Sequence, residues 1–179
     1  MTRKIRAFSS LQLSEGNDEL ILDEDESHHL GKVLRVKVGS VVEVLDGMGT
    51  FADAEIAQLD RRATQVKILG RKSLPAPNPF FRIALAMTKA SRWEEMIRPL
   101  TEMGVGRITP LLTERTEARI SSEKEVSKLA KWRKLAIEAC KQSGNPWLPE
   151  IDASVRFGEL LQDKENLRFM ASLRTHSVK

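Results

Sequence analysis

Three prolines within five residues, in the segment Pro75-Ala76-Pro77-Asn78-Pro79, are the feature that most constrains the fold of this chain. Proline fixes φ and lacks a backbone N–H, so this density of prolines excludes both a helix interior and an internal strand. Such a composition is typical of a semi-rigid spacer. The sequence therefore predicts two domains, at 1–74 and 80–179, joined by a linker at 75–79.

The segment before the linker has the pattern of a β-domain. A β-branched run at 41–45, a glycine-containing break at 47–49 and an alternating run at 51–56 together predict a hairpin. A second alternating run at 64–69 is expected to end at Gly70, and a short strand is expected at 20–22. Many short strands in so few residues predict a small barrel, because closure removes exposed edges.

One short helix is also expected in this first segment. Ser27 and its acidic neighbours are typical of a helix start, and Leu30, Val33 and Leu34 follow at helical spacing. The pair His28-His29 does not predict a metal site, because adjacent helical residues point about 100° apart and no third ligand follows at useful spacing. One of the two histidines is expected to pack inside the fold or to face a binding partner.

After the linker the sequence period changes to that of an α/β domain. Residues 82–87 are almost continuously apolar, which is typical of a strand buried on both faces. A helix is expected to start with the capping box Ser91 to Glu94 and to stop at Gly104. Pro99 inside it predicts a kink or an early end, because proline removes one backbone hydrogen bond.

The remaining elements complete an open sheet. A strand at 107–112 closes a β-α-β unit. A long helix is expected from a second capping box, Ser122 to Glu125, to about Gln142, and a last buried strand is expected at 167–173. In this arrangement Trp93, Trp132 and Cys140 face inward, whereas Trp147, in a loop between two prolines, is the most exposed tryptophan.

Composition excludes several classes of protein. No apolar run approaches the ~18 residues of a membrane helix, and no secretory signal precedes the first domain, so a cytoplasmic protein is expected. One cysteine and three histidines give neither an internal disulfide nor a zinc-ligand set. The net charge of +4 is unevenly placed: 1–74 contain 11 basic and 12 acidic residues, and 75–179 contain 18 and 13.

The candidate ligand site lies beyond the carboxyl ends of the predicted parallel strands, where open α/β sheets bind ligands. Phosphate-binding G-x-G-x-x-G and P-loop motifs are absent, as is a nucleophile elbow. Polar residues that could meet a phosphate backbone follow the two strands and the long helix: Thr88, Lys89, Arg92, Thr113, Glu114, Arg115, Thr116, Arg119, Gln142, Ser143 and Asn145. Taken singly, each is better explained as a solvated surface charge or a helix-terminal group, whereas together they favour anion binding.

Four stretches, in order, resemble one family. They are His28-His29-Leu30-Gly31-Lys32-Val33-Leu34-Arg35 with Asp46-Gly47, Lys89 through Glu102-Met103-Gly104-Val105, Ile108-Thr109-Pro110-Leu111-Leu112-Thr113-Glu114-Arg115, and Trp132 through Glu138-Ala139-Cys140-Lys141-Gln142-Ser143 to Pro149-Glu150-Ile151. The sequence resembles the RsmE family of 16S ribosomal RNA uridine-N3 methyltransferases. This resemblance covers the chain to about residue 151.

The resemblance implies a two-domain α+β fold and a function. An N-terminal PUA-like β-barrel would hold RNA, and a SPOUT-type α/β domain would use S-adenosylmethionine to methylate N3 of a uridine in 16S RNA of the small ribosomal subunit. The family also implies a homodimer and a C-terminal trefoil knot. The Gly-rich segment that forms the knot and binds the cofactor does not occur in these 179 residues, so little methyl transfer is expected from them alone.

The resemblance also implies which residues meet RNA or line the cleft. These are His29 and Arg35 from the barrel motif, Lys89 and Arg115 from the β-α-β unit, and Gln142 and Ser143 at the end of the long helix. Asn145 is a further candidate by its position just after that helix, although the family often has arginine near it. Glu102 is expected to be buried beside a helix end and to orient other groups, or else to be a salt-bridged helix carboxylate. No residue is assigned as the base that removes the N3 proton.

Two other functions remain open on the sequence. A non-catalytic RNA-binding module built on the barrel would bind RNA in a salt-sensitive way without cofactor affinity. An α/β enzyme acting on a small anionic substrate through Lys89 and Arg115 is the third reading.

Overall fold

The structure is a computed structural model that describes residues 4–13, 18–88, 90–114 and 122–162. Before the proline segment it contains one five-stranded sheet, made of β1 (Arg6–Phe8), β2 (Glu19–Ile21), β3 (Val41–Leu45), β4 (Thr50–Gln58) and β5 (Gln65–Ser73). The strand order is β1-β3-β4-β5-β2. β1 pairs with β3 in parallel, and the other pairs are antiparallel.

This sheet curls around a single core as a half-barrel. Ala7 of edge strand β1 and Leu20 of edge strand β2 lie in the same buried cluster as Val44 and Ile56 of the inner strands. Leu30 joins this cluster and is fully buried. The expected small barrel is therefore present as a curved sheet, but β1 and β2 are not paired with each other within the described residues.

The hairpin between β3 and β4 forms where the sequence predicted it, but β5 does not end at Gly70. Asp53 pairs with Gly70 and Ala54 pairs with Ile68, so Leu69 is an extra residue in β5. This β-bulge explains the glycine, because a strand that bends at a bulge tolerates glycine well. The strand continues beyond it to Ser73.

The predicted short helix begins earlier than expected. Helix α1 (Glu24–His28) is capped by Asp23, whose carboxylate accepts the Glu26 N–H at 2.9 Å, and it continues as a π-helical turn (His29–Val33). Ser27 is not the cap. Its buried hydroxyl accepts the Thr64 N–H at 2.8 Å and so fixes the helix to the sheet.

Residues 74–81 contain neither helix nor strand. They are followed by a second sheet of parallel strands, β6 (Arg82–Ala86), β7 (Arg107–Leu112), β8 (Glu150–Ile151) and β9 (Val155–Arg156), and by the helices α2 (Ala90–Glu102), α3 (Ser122–Ser143) and α4 (Phe157–Leu160). β7 pairs with β6, β8 and β9, which confirms the predicted β-α-β unit. The two-residue strands β8 and β9 were not predicted from the sequence, and the strand expected at 167–173 lies outside the described residues.

Trp93 of α2 and Trp132 of α3 form the centre of the second core. Both are 2% exposed, and their ring centroids lie 4.3 Å apart. Ile83 and Ile108 pack against them from the sheet, so both helices cover the same face. β6 is only half-buried along most of its length rather than buried on both faces as expected.

Helix α2 passes through Pro99 and ends only at Glu102, so the proline does not end it early. The stop is at Gly104 as predicted: its φ is 82°, its N–H bonds Thr101 O, and the Val105 N–H bonds Leu100 O. This pair of bonds is the glycine-dependent helix ending known as the Schellman motif.

The glutamates of both predicted capping boxes bind residues that are distant in sequence. α2 begins at Ala90, so Ser91 lies inside its first turn, and the Glu94 carboxylate accepts bonds from Lys131 and Trp132 of α3. α3 begins at Ser122 itself, and Glu125 accepts both the N–H and the hydroxyl of Ser154. Both glutamates connect separate elements, which a local motif cannot reveal.

Candidate functional site

The end of α3 and the loop after it contact the N-terminal sheet, and we call this contact the junction. It comprises residues 134–149 on one side and β1, α1 and the 46–49 turn on the other. The Gly49 N–H donates to Pro146 O at 2.9 Å, and the Leu148 N–H donates to Gly47 O at 3.0 Å. These backbone bonds join the two segments on either side of the proline linker.

The apolar part of the junction is small and fully buried. Phe8 and Leu45 of the N-terminal sheet pack against Cys140 of α3, and all three are at most 3% exposed. Burial raises the pKa of the Cys140 thiol to about 12. The cysteine is therefore a protonated apolar side chain at neutral pH, as the sequence predicted, and not a nucleophile.

Two glycines allow the close approach at the 46–49 turn. Gly47 and Gly49 have φ values of 72° and 95°, which side chains disfavour. A Cβ on Gly49 would also overlap the indole ring of Trp147. Trp147 is consequently half-buried against the turn, so it is more exposed than Trp93 and Trp132, as predicted, but not open to solvent.

An ionic cluster lies within the junction beside α1. The Lys141 ammonium donates to Glu26 at 2.5 Å and contacts Glu138 at 2.6 Å, and the Lys141 and Glu26 side chains are 5% and 8% exposed. Burial lowers the pKa of Lys141, but the two carboxylates outweigh it and the net shift is upward. Burial is also the main influence on Glu26 and raises its pKa, although the Lys141 ammonium opposes that shift.

A polar cleft of about 370 Å³ opens next to this cluster. It is lined by Lys141, by the histidines of α1 and the π-helical turn, by Arg61, and by the carboxylates Glu24, Asp25, Glu26 and Glu138. The cleft therefore brings His29 of the barrel motif close to the end of α3, one residue before Gln142. Those two predicted site regions are far apart in sequence and adjacent in the structure.

The three polar residues predicted for the site at the end of α3 and just after it have different roles. Ser143 donates to Ala139 O at 2.8 Å and accepts the Asn145 N–H at 3.2 Å. The Asn145 amide donates to Thr101 O at 3.0 Å and accepts the Trp147 N–H at 3.0 Å. Asn145 therefore fixes the loop to the end of α2, while the Gln142 side chain is exposed at the surface.

Arg35 lies on an exposed basic loop that follows the π-helical turn. It has a φ of 53°, uncommon for a residue with a side chain. The Val36 N–H bonds Leu30 O, which ties the loop to the core. Lys32 of that turn, together with Arg35 and Lys37 of the loop, is exposed, so these residues present three cations to solvent.

One predicted site residue lies in a different environment from the one expected, and two others lie outside the described residues. Glu102 is exposed, not buried beside the helix end. In the last turn of α2 the neighbouring residue, Thr101, is buried, so the Glu102 side chain faces solvent. Lys89 and Arg115 lie outside the described residues.

The carboxyl edge of the second sheet is the other surface that the sequence predicted. Met87 follows β6 and is buried, while Thr88, Thr113 and Glu114 are exposed where β6 and β7 end. The Met87 N–H bonds Leu111 O and extends the strand pairing to this edge. Within the described ranges, no three or more histidine, cysteine, aspartate or glutamate side chains group as a metal site.

Family models match both parts of the chain. An RNA methyltransferase domain model matches residues 75–179, and an RNA methyltransferase PUA domain model matches residues 22–69. The chain belongs to the RNA methyltransferase family. The predicted fold class, a PUA-like domain followed by a SPOUT-like α/β domain, is confirmed. Among the residues described, no helix has the length and apolarity needed to span a bilayer.

Curated relatives carry the name that the four motifs predicted. A ribosomal RNA small subunit methyltransferase E from Synechocystis is 36% identical over 137 residues, covering 75% of this chain and 43% of the relative. The protein of the same name from Mycobacterium tuberculosis is 27% identical over 142 residues, covering 79% and 54%. The chain thus spans about half the length of these relatives.

Solved structures share the fold. A ribosomal RNA small subunit methyltransferase E from Neisseria gonorrhoeae, bound to S-adenosyl methionine, has a TM-score of 0.80 at 26% identity, covering 91% of this chain and 66% of that one. A Legionella pneumophila protein in complex with the cofactor SAM has a TM-score of 0.83 at 28% identity, covering 91% and 67%. The resemblance to the RsmE family is therefore confirmed.

Proposed function

We propose that this chain contributes to S-adenosylmethionine-dependent methylation of N3 of a uridine in 16S ribosomal RNA. The observation that carries this proposal is the family match over 75–179, supported by relatives named as small subunit rRNA methyltransferases. The same proposal includes the small ribosomal subunit as partner, a homodimer as the assembled form, and the cytoplasm as its compartment.

The two segments divide the work in this proposal. Residues 1–74 hold RNA through the basic loop around Arg35, 75–79 connect the segments, and 80–179 contribute to the methyl-transfer domain. Exposed lysine and arginine side chains attract the phosphate backbone and orient the nucleic acid without reading its sequence. Residues 75–179 contain 18 basic and 13 acidic residues, and this positive excess extends the attraction to the second segment.

The carboxyl edge of the second sheet is the proposed place for part of the cofactor. The Thr88 and Thr113 hydroxyls can bond ribose or amino-acid groups, and the Glu114 carboxylate suits a nearby positive charge. These hydroxyl and carboxylate groups are therefore of a chemical type that can bind S-adenosylmethionine. When bound, the cofactor supplies an electrophilic methyl group on a sulfonium.

The residues of this chain contribute to that chemistry by positioning. Uridine N3 must lose its proton before it can accept a methyl group, and its base must be turned out of the stack to be reached. Holding the RNA in one orientation supplies the effective concentration on which such a transfer depends. Arg35, His29 and Gln142 are proposed RNA contacts, and the proton acceptor is not assigned.

The decisive experiment compares 16S RNA from the source organism with and without the gene that encodes this chain. Nucleoside analysis is expected to show 3-methyluridine in wild-type 16S RNA, its loss on deletion and its return on complementation. Unchanged 3-methyluridine after deletion would contradict the proposal.

A second candidate, a non-catalytic RNA-binding module, is favoured by one observation: the basic loop lies wholly on the N-terminal half-barrel. The purified chain would then bind RNA with a steep salt dependence and show no change on adding S-adenosylmethionine. Calorimetric titration of the cofactor, combined with the deletion result, distinguishes the two candidates.

A further inference from the structure

Arg6 of β1 crosses the junction and contacts the end of α3. One guanidinium nitrogen, Nη1, donates to Lys141 O at 3.0 Å and to Gln142 O at 3.2 Å. These carbonyls belong to the last turn of the helix, which ends at Ser143. The final carbonyls of a helix lack partners inside it and carry partial negative charge, so a cation bound there satisfies them.

Glu43 of β3 holds the guanidinium in this orientation. Its carboxylate accepts the Arg6 Nε–H at 2.6 Å, and its side chain is only 8% exposed. Arg6 therefore uses one edge for the carboxylate and another for the helix end, which a planar guanidinium can do and a lysine ammonium cannot.

Gly144 shows how closely the guanidinium approaches the loop. A Cβ on this residue would lie 2.7 Å from an Arg6 nitrogen, and its φ is 79°. The Gly144 N–H bonds Cys140 O at 2.7 Å, so the turn that follows the helix begins under the guanidinium. Asn145 and the rest of the junction up to residue 149 follow this turn in the chain.

We propose that Arg6 is a positioning residue for RNA binding: held by Glu43, it fixes the end of α3 so that Gln142 is presented to RNA. This inference rests on the proposed function. Arg6 acts through the helix end and makes no contact with RNA itself. Nothing in the sequence motifs that identify the family includes Arg6 or Glu43.

Lys4 provides a matched control. It donates to the same Glu43 carboxylate at 2.8 Å, and its side chain is 56% exposed, against 20% for Arg6. The described contacts of Lys4 are with Glu43 and Asp53, not with α3. Arg6→Met and Lys4→Met each remove one positive charge from the same carboxylate, but only the first releases the helix end.

The test measures binding of the full 179-residue chain to a 16S RNA fragment over a range of salt concentrations. Arg6→Met is expected to weaken binding by about fivefold or more, at the lower end of typical coupling between sites, and Lys4→Met much less. The slope of log affinity against log salt is expected to stay the same in Arg6→Met. A direct phosphate contact would instead reduce that slope by about 0.7 to 0.9.

Glu43→Gln separates positioning from simple electrostatics. This change makes the protein more positive, so electrostatics alone predicts tighter RNA binding, whereas loss of Arg6 orientation predicts weaker binding. Arg6→Lys is expected to recover only part of the affinity, because one ammonium cannot bond both Glu43 and the helix end. Tighter binding by Glu43→Gln would overturn the inference.

Hydrogen exchange at the Gly144, Asn145 and Trp147 amides adds a readout that does not depend on RNA. Exchange is expected to rise in Arg6→Met and to stay unchanged in Lys4→Met. If the wild-type chain does not bind RNA, the proposed function fails for this chain. If the wild type binds and the two methionine variants bind equally, the positioning role alone is overturned.

Discussion

Replacing Lys141 by methionine is the most informative perturbation of the junction. The change keeps most of the side-chain volume but removes the cation that Glu26 contacts at 2.5 Å. Glu26 then retains, among its described partners, the Phe8 N–H at 3.2 Å. An 8%-exposed carboxylate without its cation is an uncompensated buried charge.

The expected cost follows from that burial. Breaking a buried ion pair from one side costs about 3–5 kcal/mol. In a chain of this size each kcal/mol lowers the thermal midpoint by about 2–4 °C, so the midpoint should fall by about 6–20 °C. The double variant Glu26→Met with Lys141→Met should recover most of this loss, because no buried charge is left: Glu138, the other partner of Lys141, is 47% exposed.

Lys134→Met is the matched control, because it also breaks an ion pair between α3 and α1. Lys134 and Asp25 are 2.6 Å apart, but their side chains are 72% and 74% exposed. Water screens such a pair, so the midpoint should stay unchanged within measurement error. Melting curves by circular dichroism at pH 7 compare the variants, and equal midpoints for Lys141→Met and Lys134→Met would refute the reasoning.

The stability loss in Lys141→Met is expected to depend on pH. Burial raises the pKa of Glu26 even with Lys141 present, and removing the cation should raise it further. The penalty in Lys141→Met is therefore full above the raised pKa of Glu26 in the folded variant, shrinks as the pH falls through that pKa, and is lost below the ordinary carboxyl pKa of 4.5. A midpoint difference that grows in acid would contradict this assignment.

Three further predictions follow from neighbouring contacts. Burial raises the pKa of Glu43, but hydrogen bonds from two cations outweigh it, so the net pKa is lowered. Glu43→Gln should therefore destabilise the protein at pH 7, and this effect should disappear as acid protonates the wild-type carboxylate. Urea melts at pH 7 and pH 3 check this prediction. Gly49→Ala should lower stability more than Gly39→Ala, because both have positive φ but only Gly49 faces the Trp147 ring; equal losses in urea melts would contradict this. Cys140, whose pKa burial raises to about 12, should react with iodoacetamide only after unfolding, as mass spectrometry can show; fast labelling of the native protein would be inconsistent with burial.

Local sequence patterns predicted the elements well where one segment determines its own structure. The β3–β4 hairpin follows from alternation around Gly47 and Gly49, and the end of α2 follows from Gly104, because the backbone geometry there requires glycine. The inward orientation of Trp93 and Trp132 follows from the helical spacing of the apolar residues around them. Each of these signals lies within a few residues of the feature it predicts.

The errors and omissions come from contacts between distant segments. Glu94 and Glu125 match capping boxes in sequence, yet each binds a residue at least 29 positions away. Lys141 lies beside the predicted site residue Gln142, but its partner Glu26 is 115 positions away. A lysine on a mostly inward-facing stretch of α3, beside buried Cys140, is the signal that could have revealed this buried pair.

The candidate site was predicted in part. The motif containing His29 and the end of α3 were both expected to meet RNA, and the structure places them at one cleft. That they share a cleft was not predictable, because their proximity depends on the contact of α3 with α1. Glu102 was wrongly expected to be buried, since the choice between Thr101 and Glu102 for the inner face depends on how α2 packs.

The junction also sets an order of events during protein synthesis. Arg6 and Lys141 are separated by 135 positions, so at about 5–20 residues per second the ribosome needs about 7–27 s to supply the partner of β1. Throughout that interval Phe8 and Leu45 lack their Cys140 cover. The nascent half-barrel should therefore recruit chaperones through this apolar edge until α3 emerges and docks.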